Sequence, residues 1–175
     1  FYVSKMDLEN ADFNKVLAAL KEKFGNAVCP AVIPVGDVYV DLITKKAFTF
    51  DAKGKSTKVE TPDDPMIEEL EDAINEAIAE ADDELMEKFF DGEEFTEEER
   101  FRGFEEGVAA GIIAPVYCGD SVTLRGIEML LHEFKKIFPS AEEVASEVAT
   151  DADGKEVKLT CSEDEPLAAY VFKTV

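Results

Sequence analysis

A chain of 175 residues fits one ordinary domain, or one and a piece, and its 40 acidic against 18 basic residues leave a formal net charge of −22. That charge argues against DNA or RNA binding by phosphate neutralisation and against docking on anionic membranes, and it favours basic partners. With 46% hydrophobic residues and 13 Phe the chain can bury a core, while its apolar runs are too short to span a bilayer.

Phe1-Tyr2-Val3 reads as a strand, and residues 12–24 as an amphipathic helix. Phe13, Val16, Leu17, Leu20 and Phe24 share a face of that helix, Asp12 can cap its start, and Gly25 ends it. Residues 28–60 turn β-rich, with strands expected over Val28 to Val35, Val38 to Ile43, Lys46 to Phe50 and Ser56 to Glu60. Turn signals at Pro34-Val35-Gly36 and Asp51-Ala52-Lys53-Gly54 space them closely, which predicts an antiparallel meander.

Thr61-Pro62 opens the next helix as N-cap and first residue, and Met66, Ile67, Leu70, Ala73, Ile74, Ala77, Ile78 and Ala81 form its apolar stripe. A shorter helix carries Leu85, Met86, Phe89 and Phe90 before Gly92. Thr96-Glu97-Glu98-Glu99 is a capping box for a third, running to about Gly111, in which Gly103 and Gly107 allow close packing. Ile112 to Cys118 reads as a buried strand and Gly126 to Phe138 as another amphipathic helix, repeating the opening strand-then-helix order. After Pro139 strands are expected at Lys155 to Cys161 and Leu167 to Val175.

Two βα units thus flank a β-then-α insert, the pattern of one α/β domain interrupted by another. Both ends read as strands in progress, which predicts a piece of a longer protein. Cys29, Cys118 and Cys161 are too far apart for a zinc or thiol-pair motif and fit a reducing cytosol, as small buried hydrophobes. His132, the single histidine, lies in the helix near Leu131 and Phe134 and is expected to be structural, with no metal site. Asp151-Ala152-Asp153-Gly154 lacks the later acidic ligands of a calcium loop and reads as a hairpin turn.

The acid is concentrated. Residues 60–106 hold 21 Asp or Glu against 3 Lys or Arg. Glu69, Asp72, Glu76, Glu80 and Asp83 recur every three or four residues opposite the apolar stripe of the first insert helix. Such a face is either a solvated surface or an electrostatic docking site for a basic protein.

Ser4-Lys5-Met6-Asp7 falls where a strand gives way to a loop, the place where α/β folds put ligand contacts. One carboxylate can accept from both N1–H and the N2 amine of guanine, and adenine would leave it unsatisfied. A neighbouring Lys can lay its stem over a base. Cys118-Gly119-Asp120-Ser121 ends the later strand at the corresponding edge.

With Glu9-Asn10-Ala11-Asp12-Phe13 opening the helix, the first motif resembles the Asn-Lys-Met-Asp segment of translational GTPases, most of all elongation factor G. The resemblance continues through Cys29 to Gly36, Val40-Asp41-Leu42, Asp82 to Phe90, Gly92 to Glu99, Pro115 to Gly119 and Pro166 to Lys173. It implies an α/β fold: a partial P-loop GTPase domain of two βα units, interrupted by an α+β insert with an antiparallel sheet and acidic helices. Residues 1–27 and 112–140 would be the end of the GTP-binding domain, 28–111 the inserted subdomain, and 141–175 the entry to a following β-barrel domain.

By that resemblance Asp7 reads guanine, Lys5 packs on the base, Ser4 takes the place of the family's Asn, and Gly119, Asp120 and Ser121 form the guanine-carbonyl loop. The five acidic residues would meet a basic domain of the ribosomal stalk protein in the cytoplasm. GTP or GDP with Mg²⁺ would belong to the full-length protein. Ser4 for Asn and Asp120-Ser121 for the usual Ser-Ala imply a divergent paralogue with weakened nucleotide affinity. No G-x-x-x-x-G-K-[ST] occurs in the sequence, so this chain alone is expected not to hydrolyse GTP. The alternative reading is a stand-alone acidic module that binds a basic protein and no nucleotide.

Overall fold

In the computed structural model of the chain, residues 1–138, 140, 142, 147–162, 164, 167–169, 171 and 173 are described. They fall into two units, residues 1–138 and residues 139–175.

The first unit begins with strand β1 (Tyr2–Val3), then a loop and helix α1 (Phe13–Phe24). The Asp12 side chain caps that helix by accepting from the Lys15 amide at 2.9 Å, and Gly25 stops it at φ 83°, a conformation glycine adopts without penalty. Phe13 and Leu17 are buried, whereas Val16 and Phe24 of the expected stripe stay exposed.

The chain then crosses between two sheets. Strand β2 (Val28–Pro30) runs parallel to a later strand, and β3 (Val32–Val35) opens an antiparallel meander. The single strand expected over 28–35 is therefore two. The break falls at Ala31, whose amide donates to the Val116 carbonyl at 2.9 Å while its own carbonyl accepts from Leu42 at 2.9 Å. Ala31 is fully buried where the parallel and antiparallel sheets meet. Strands β4 (Val38–Asp41), β5 (Lys46–Phe50) and β6 (Ser56–Val59) complete the meander in the order β3-β4-β5-β6. Ile33, Val40, Leu42, Ile43 and Ala47 have essentially no exposure, and each large side chain so buried contributes about 1.5–3 kcal/mol.

Helix α2 (Pro65–Ala79) starts three residues later than the Thr61-Pro62 pair suggests. Its cap is Asp64, which accepts from the Met66 amide at 2.9 Å, with Pro65 in the first turn. A start at Pro62 would put Pro65 inside the helix, where it removes a backbone bond and clashes with the preceding turn. Helices α3 (Asp83–Phe90) and α4 (Glu97–Ala109) follow and pack on α2. The Thr96–Glu99 capping box forms in both directions. Gly103 lies against Leu85 and Ile78, and Gly107 against Ile113, so both glycines mark close helix packing.

Strand β7 (Ala114–Cys118) returns between β1 and β2, giving a parallel sheet in the order β1-β7-β2. Helix α5 (Ile127–Ile137) closes the unit, burying Met129, Glu133 and Ile137 and leaving Leu131, His132 and Phe134 exposed. His132 lies on the exposed side of α5, one turn from Glu128. Cys29 and Cys118 are buried as expected, but Cys161 is exposed.

In the second unit, β8 (Glu147–Thr150) pairs antiparallel with β9 (Glu156–Leu159). Only β9 has a counterpart in the expected strands. Asp151 closes their turn, its Oδ1 accepting from the Asp153 and Lys155 amides at 2.9 Å each. The strand expected over 167–175 lies partly outside the described residues, and 167–169, 171 and 173 are in no strand. Among the described residues no helix is long and apolar enough to cross a membrane.

Candidate functional site

Parallel pairing of β1 with β7 aligns Tyr2 with Tyr117 and Val3 with Cys118. Both strands therefore end at the same edge, and the loops that follow leave it side by side. The Met6 amide donates to the Gly119 carbonyl at 3.2 Å, and the Gly119 amide to the Val3 carbonyl at 3.0 Å. Ser4, Lys5 and Asp7 are thus brought beside Gly119, Asp120 and Ser121.

Ser4, Lys5 and Asp7 are exposed, and Lys5 adopts a left-handed backbone at φ 62° that projects the loop from the edge. Among the described residues neither the Asp7 carboxylate nor the Lys5 ammonium has a partner, so both can meet a ligand. An open cavity of about 450 Å³ lies between this loop and the start of α1, lined by Ser4, Lys5, Met6 and Asn10. A second, of about 390 Å³, lies on the other side of Met6, against Asp37, Tyr39 and Arg125. Asp7 and Gly119 to Ser121 line neither, so the two loops form an open rim.

Asp120 behaves differently from a free carboxylate. It is 1% exposed, and its Oδ1 accepts from the amides of Val122, at 3.0 Å, and Thr123. Its Oδ2 accepts from the Thr123 hydroxyl at 2.6 Å. The acid that stands where the resembled family has Ser is therefore directed into its own loop. The Asp-x-x-Thr spacing was the local signal for this turn. Gly119 is required by the close approach of the chain: a β-carbon there would meet the Arg125 carbonyl oxygen and lie 2.6 Å from the Tyr2 hydroxyl. That hydroxyl is buried without a hydrogen-bond partner, and desolvation, followed by Cys118 and Asp120, pushes it up to about 12.

The five acidic residues are all exposed, and none has an ion-pair partner among the described residues. They do not occupy one helix. Glu69, Asp72 and Glu76 lie on α2, Glu80 is its C-cap, and Asp83 begins α3, because the helix ends two residues before the apolar stripe does. Other acids of the region are partnered within the fold: Glu71 with Lys45 at 2.6 Å, Glu99 with Lys88 at 2.6 Å, Glu97 with Lys46, and Asp82 with Arg102 at 3.6 Å.

Sequence reasoning missed the groups behind the Gly119 loop. Arg125 pairs with Asp37 of the β3–β4 turn at 3.0 Å, and Gly54 of the β5–β6 turn packs directly on Leu124. These contacts join residues far apart in sequence and have no local signature.

The architecture defines a class first: a mixed α/β protein whose parallel sheet presents two loops at the carboxyl edge of its strands, where α/β folds take ligands. The chain is a relative of the elongation factor G-like proteins. It is 38% identical over 180 residues to the elongation factor G-like protein of Thermotoga maritima, covering 99% of this chain and 26% of that one. A crystal structure of a Thermus thermophilus protein matches the fold with a TM-score of 0.71, at 24% identity, over 90% of this chain and 26% of that chain. The chain thus spans about a quarter of the length of the relatives it matches. No family model matches it.

Proposed function

We propose that this chain is a segment of a ribosome-associated translational GTPase resembling elongation factor G. In this reading residues 1–27 and 112–140 complete a P-loop GTP-binding domain, 28–111 form its inserted subdomain, and 141–175 lead into a following domain. The observation that carries the reading is the Val3–Cys118 pairing, which sets the Ser4–Asp7 loop beside the Gly119–Ser121 loop.

Guanine recognition follows from the donors and acceptors available there. The Asp7 carboxylate accepts from N1–H and the exocyclic amine, a pair adenine does not offer. The Lys5 methylenes cover one face of the ring. The Gly119 and Asp120 amides are committed to the Val3 and Arg125 carbonyls, so the Ser121 amide, without an acceptor among the described residues, holds the base carbonyl, and Ser4 supports the first loop in place of Asn. Nucleotide with Mg²⁺ supplies the phosphoryl chemistry once the remaining three quarters of the protein provide a phosphate loop, which this sequence lacks. The unpaired carboxylates of Glu69, Asp72, Glu76, Glu80 and Asp83 form the docking face for a basic domain of the ribosomal stalk.

Equilibrium binding of fluorescent GDP to the full-length protein, with ADP and IDP as competitors, tests the reading. GDP is expected to compete best, IDP more weakly for want of the 2-amino group, and ADP hardly at all. Equal competition by all three would remove guanine recognition from these loops.

A further inference from the structure

The antiparallel sheet of the insert touches the Gly119–Arg125 segment and the helix after it at three points. The β5–β6 turn places Gly54, at φ 75° and buried, directly on Leu124, and a β-carbon there would fall on the Leu124 β-carbon and 2.9 Å from its carbonyl oxygen. The Ser56 amide at the start of β6 donates to Glu128 of α5 at 2.8 Å. The β3–β4 turn places Asp37 against the Arg125 guanidinium at 3.0 Å. The held segment is unusual in itself. Leu124 has a left-handed backbone at φ 63°, which a branched side chain rarely adopts unless its surroundings impose it. The Arg125 carbonyl that follows accepts from the Asp120 amide at 3.1 Å, so the conformation imposed at Leu124 and Arg125 is passed to the base-facing end of the loop.

We propose that Gly54 and Asp37 are positioning residues for nucleotide recognition: the two hairpin turns clamp Leu124 and Arg125, the Arg125 carbonyl holds the Asp120 amide, and the next amide, that of Ser121, is thereby fixed toward the base carbonyl. This rests on the guanine-binding reading above and deepens it, because it makes the insert part of the base site's geometry. The two loops then have separable duties. The clamped loop reads the 6-carbonyl of the base, and Asp7 reads the 2-amine and N1–H. Loosening the clamp weakens only the first.

The test uses the full-length protein carrying Gly54→Ala, Asp37→Ala or, as control, Gly92→Ala. Gly92 has the same positive φ, at 73°, but nothing within 4 Å of a β-carbon. Asp37 sits in an exposed turn, so its variant reports even if Gly54→Ala fails to fold. Two readouts are taken: hydrogen exchange of the Val122 and Thr123 amides, and affinities for GDP, IDP and the 2-aminopurine nucleoside diphosphate, which lacks the 6-carbonyl and also the N1 proton. The lost N1–H contact to Asp7 is the same in wild type and clamp variants, so the change in preference between them reports the carbonyl contact. Gly54→Ala is expected to speed exchange of those two amides at least tenfold, and Asp37→Ala, which removes a largely exposed ion pair, about two- to fivefold. They are also expected to narrow the preference for GDP over the 2-aminopurine nucleotide several-fold while leaving GDP over IDP unchanged; Gly92→Ala changes none of these. Unchanged exchange in both clamp variants overturns the clamp. Faster exchange with an unaltered 2-aminopurine preference overturns its role in reading the base. A wild-type protein that binds none of the three nucleotides refutes the guanine reading and with it the recognition role, while the exchange data still decide the clamp.

Discussion

The Met6 amide donates to the Gly119 carbonyl at 3.2 Å, joining two loops separated by more than a hundred residues of sequence. Everything between them, the meander and the three helices α2 to α4, leaves from β2 and returns through β7 of the same parallel sheet. The spacing of the two loops is therefore set by one strand pair, while the insert reaches the second loop only through its hairpin turns.

Glu133 gives the fold a pH-dependent stability. It is 3% exposed on α5, its Oε2 has no hydrogen-bond partner, and burial pushes its carboxyl up to about 7, aided by the Asp41 carboxylate and opposed by Lys136. The native state keeps a proton that the unfolded chain has released, so stability falls as pH rises from about 4.5 to about 7. Glu133→Gln should flatten that slope and stand about 2–3 kcal/mol above the wild type at pH 8. Urea titrations at a series of pH values measure both.

Gly103→Ala should destabilise the chain although alanine is the better helix former. The added β-carbon would lie 2.6 Å from Leu85 Cδ1 and 2.7 Å from Ile78 Cγ2, and both side chains are fully buried. Overpacking of this kind costs about 1–3 kcal/mol, against a helical gain of about 1 kcal/mol. A net loss of about 1 kcal/mol in chemical unfolding is expected.

Local features were legible in the sequence and long-range ones were not. The Asp12 cap, the Thr96–Glu99 capping box and the small residues at Gly103 and Gly107 are set within one or two helical turns, so spacing alone exposes them. The break at Ala31 depends on a hydrogen bond to Val116, which no window around residue 31 contains. Glu133 reads as a surface residue of an amphipathic helix, and only the packing of α5 buries it. In the candidate site Ser4, Lys5 and Asp7 stood out by motif, whereas Arg125, Asp37 and Gly54 matter through tertiary contact.

Asp120→Ala should loosen the second loop, since three donors then lose the acceptor that Asp120 provides in a nearly closed site. The expected cost is about 1–3 kcal/mol, and Asp120→Asn, which keeps one carbonyl acceptor, should lose less. Thermal and chemical unfolding of both variants checks the order.

Asp72→Lys separates the two readings of the acidic face. It relieves repulsion with Glu68, Glu69 and Glu76 at helical spacing, so the fold should gain about 0.5–1 kcal/mol from two or three pairs. Association with a basic stalk-protein domain should slow by about tenfold at low salt and converge with the wild type at high salt. A purely solvated face would show the stability gain alone.

The most direct test of guanine recognition is the nucleotide preference of Asp7→Asn in the full-length protein. Exchanging the carboxylate for an amide replaces one acceptor by a donor, which suits the 2-carbonyl of xanthine and opposes the 2-amine of guanine. GDP affinity should fall by at least about a hundredfold, XDP should bind in its place, and thermal stability should be unchanged because Asp7 is exposed. Undiminished GDP binding, with no gain for XDP, would contradict it.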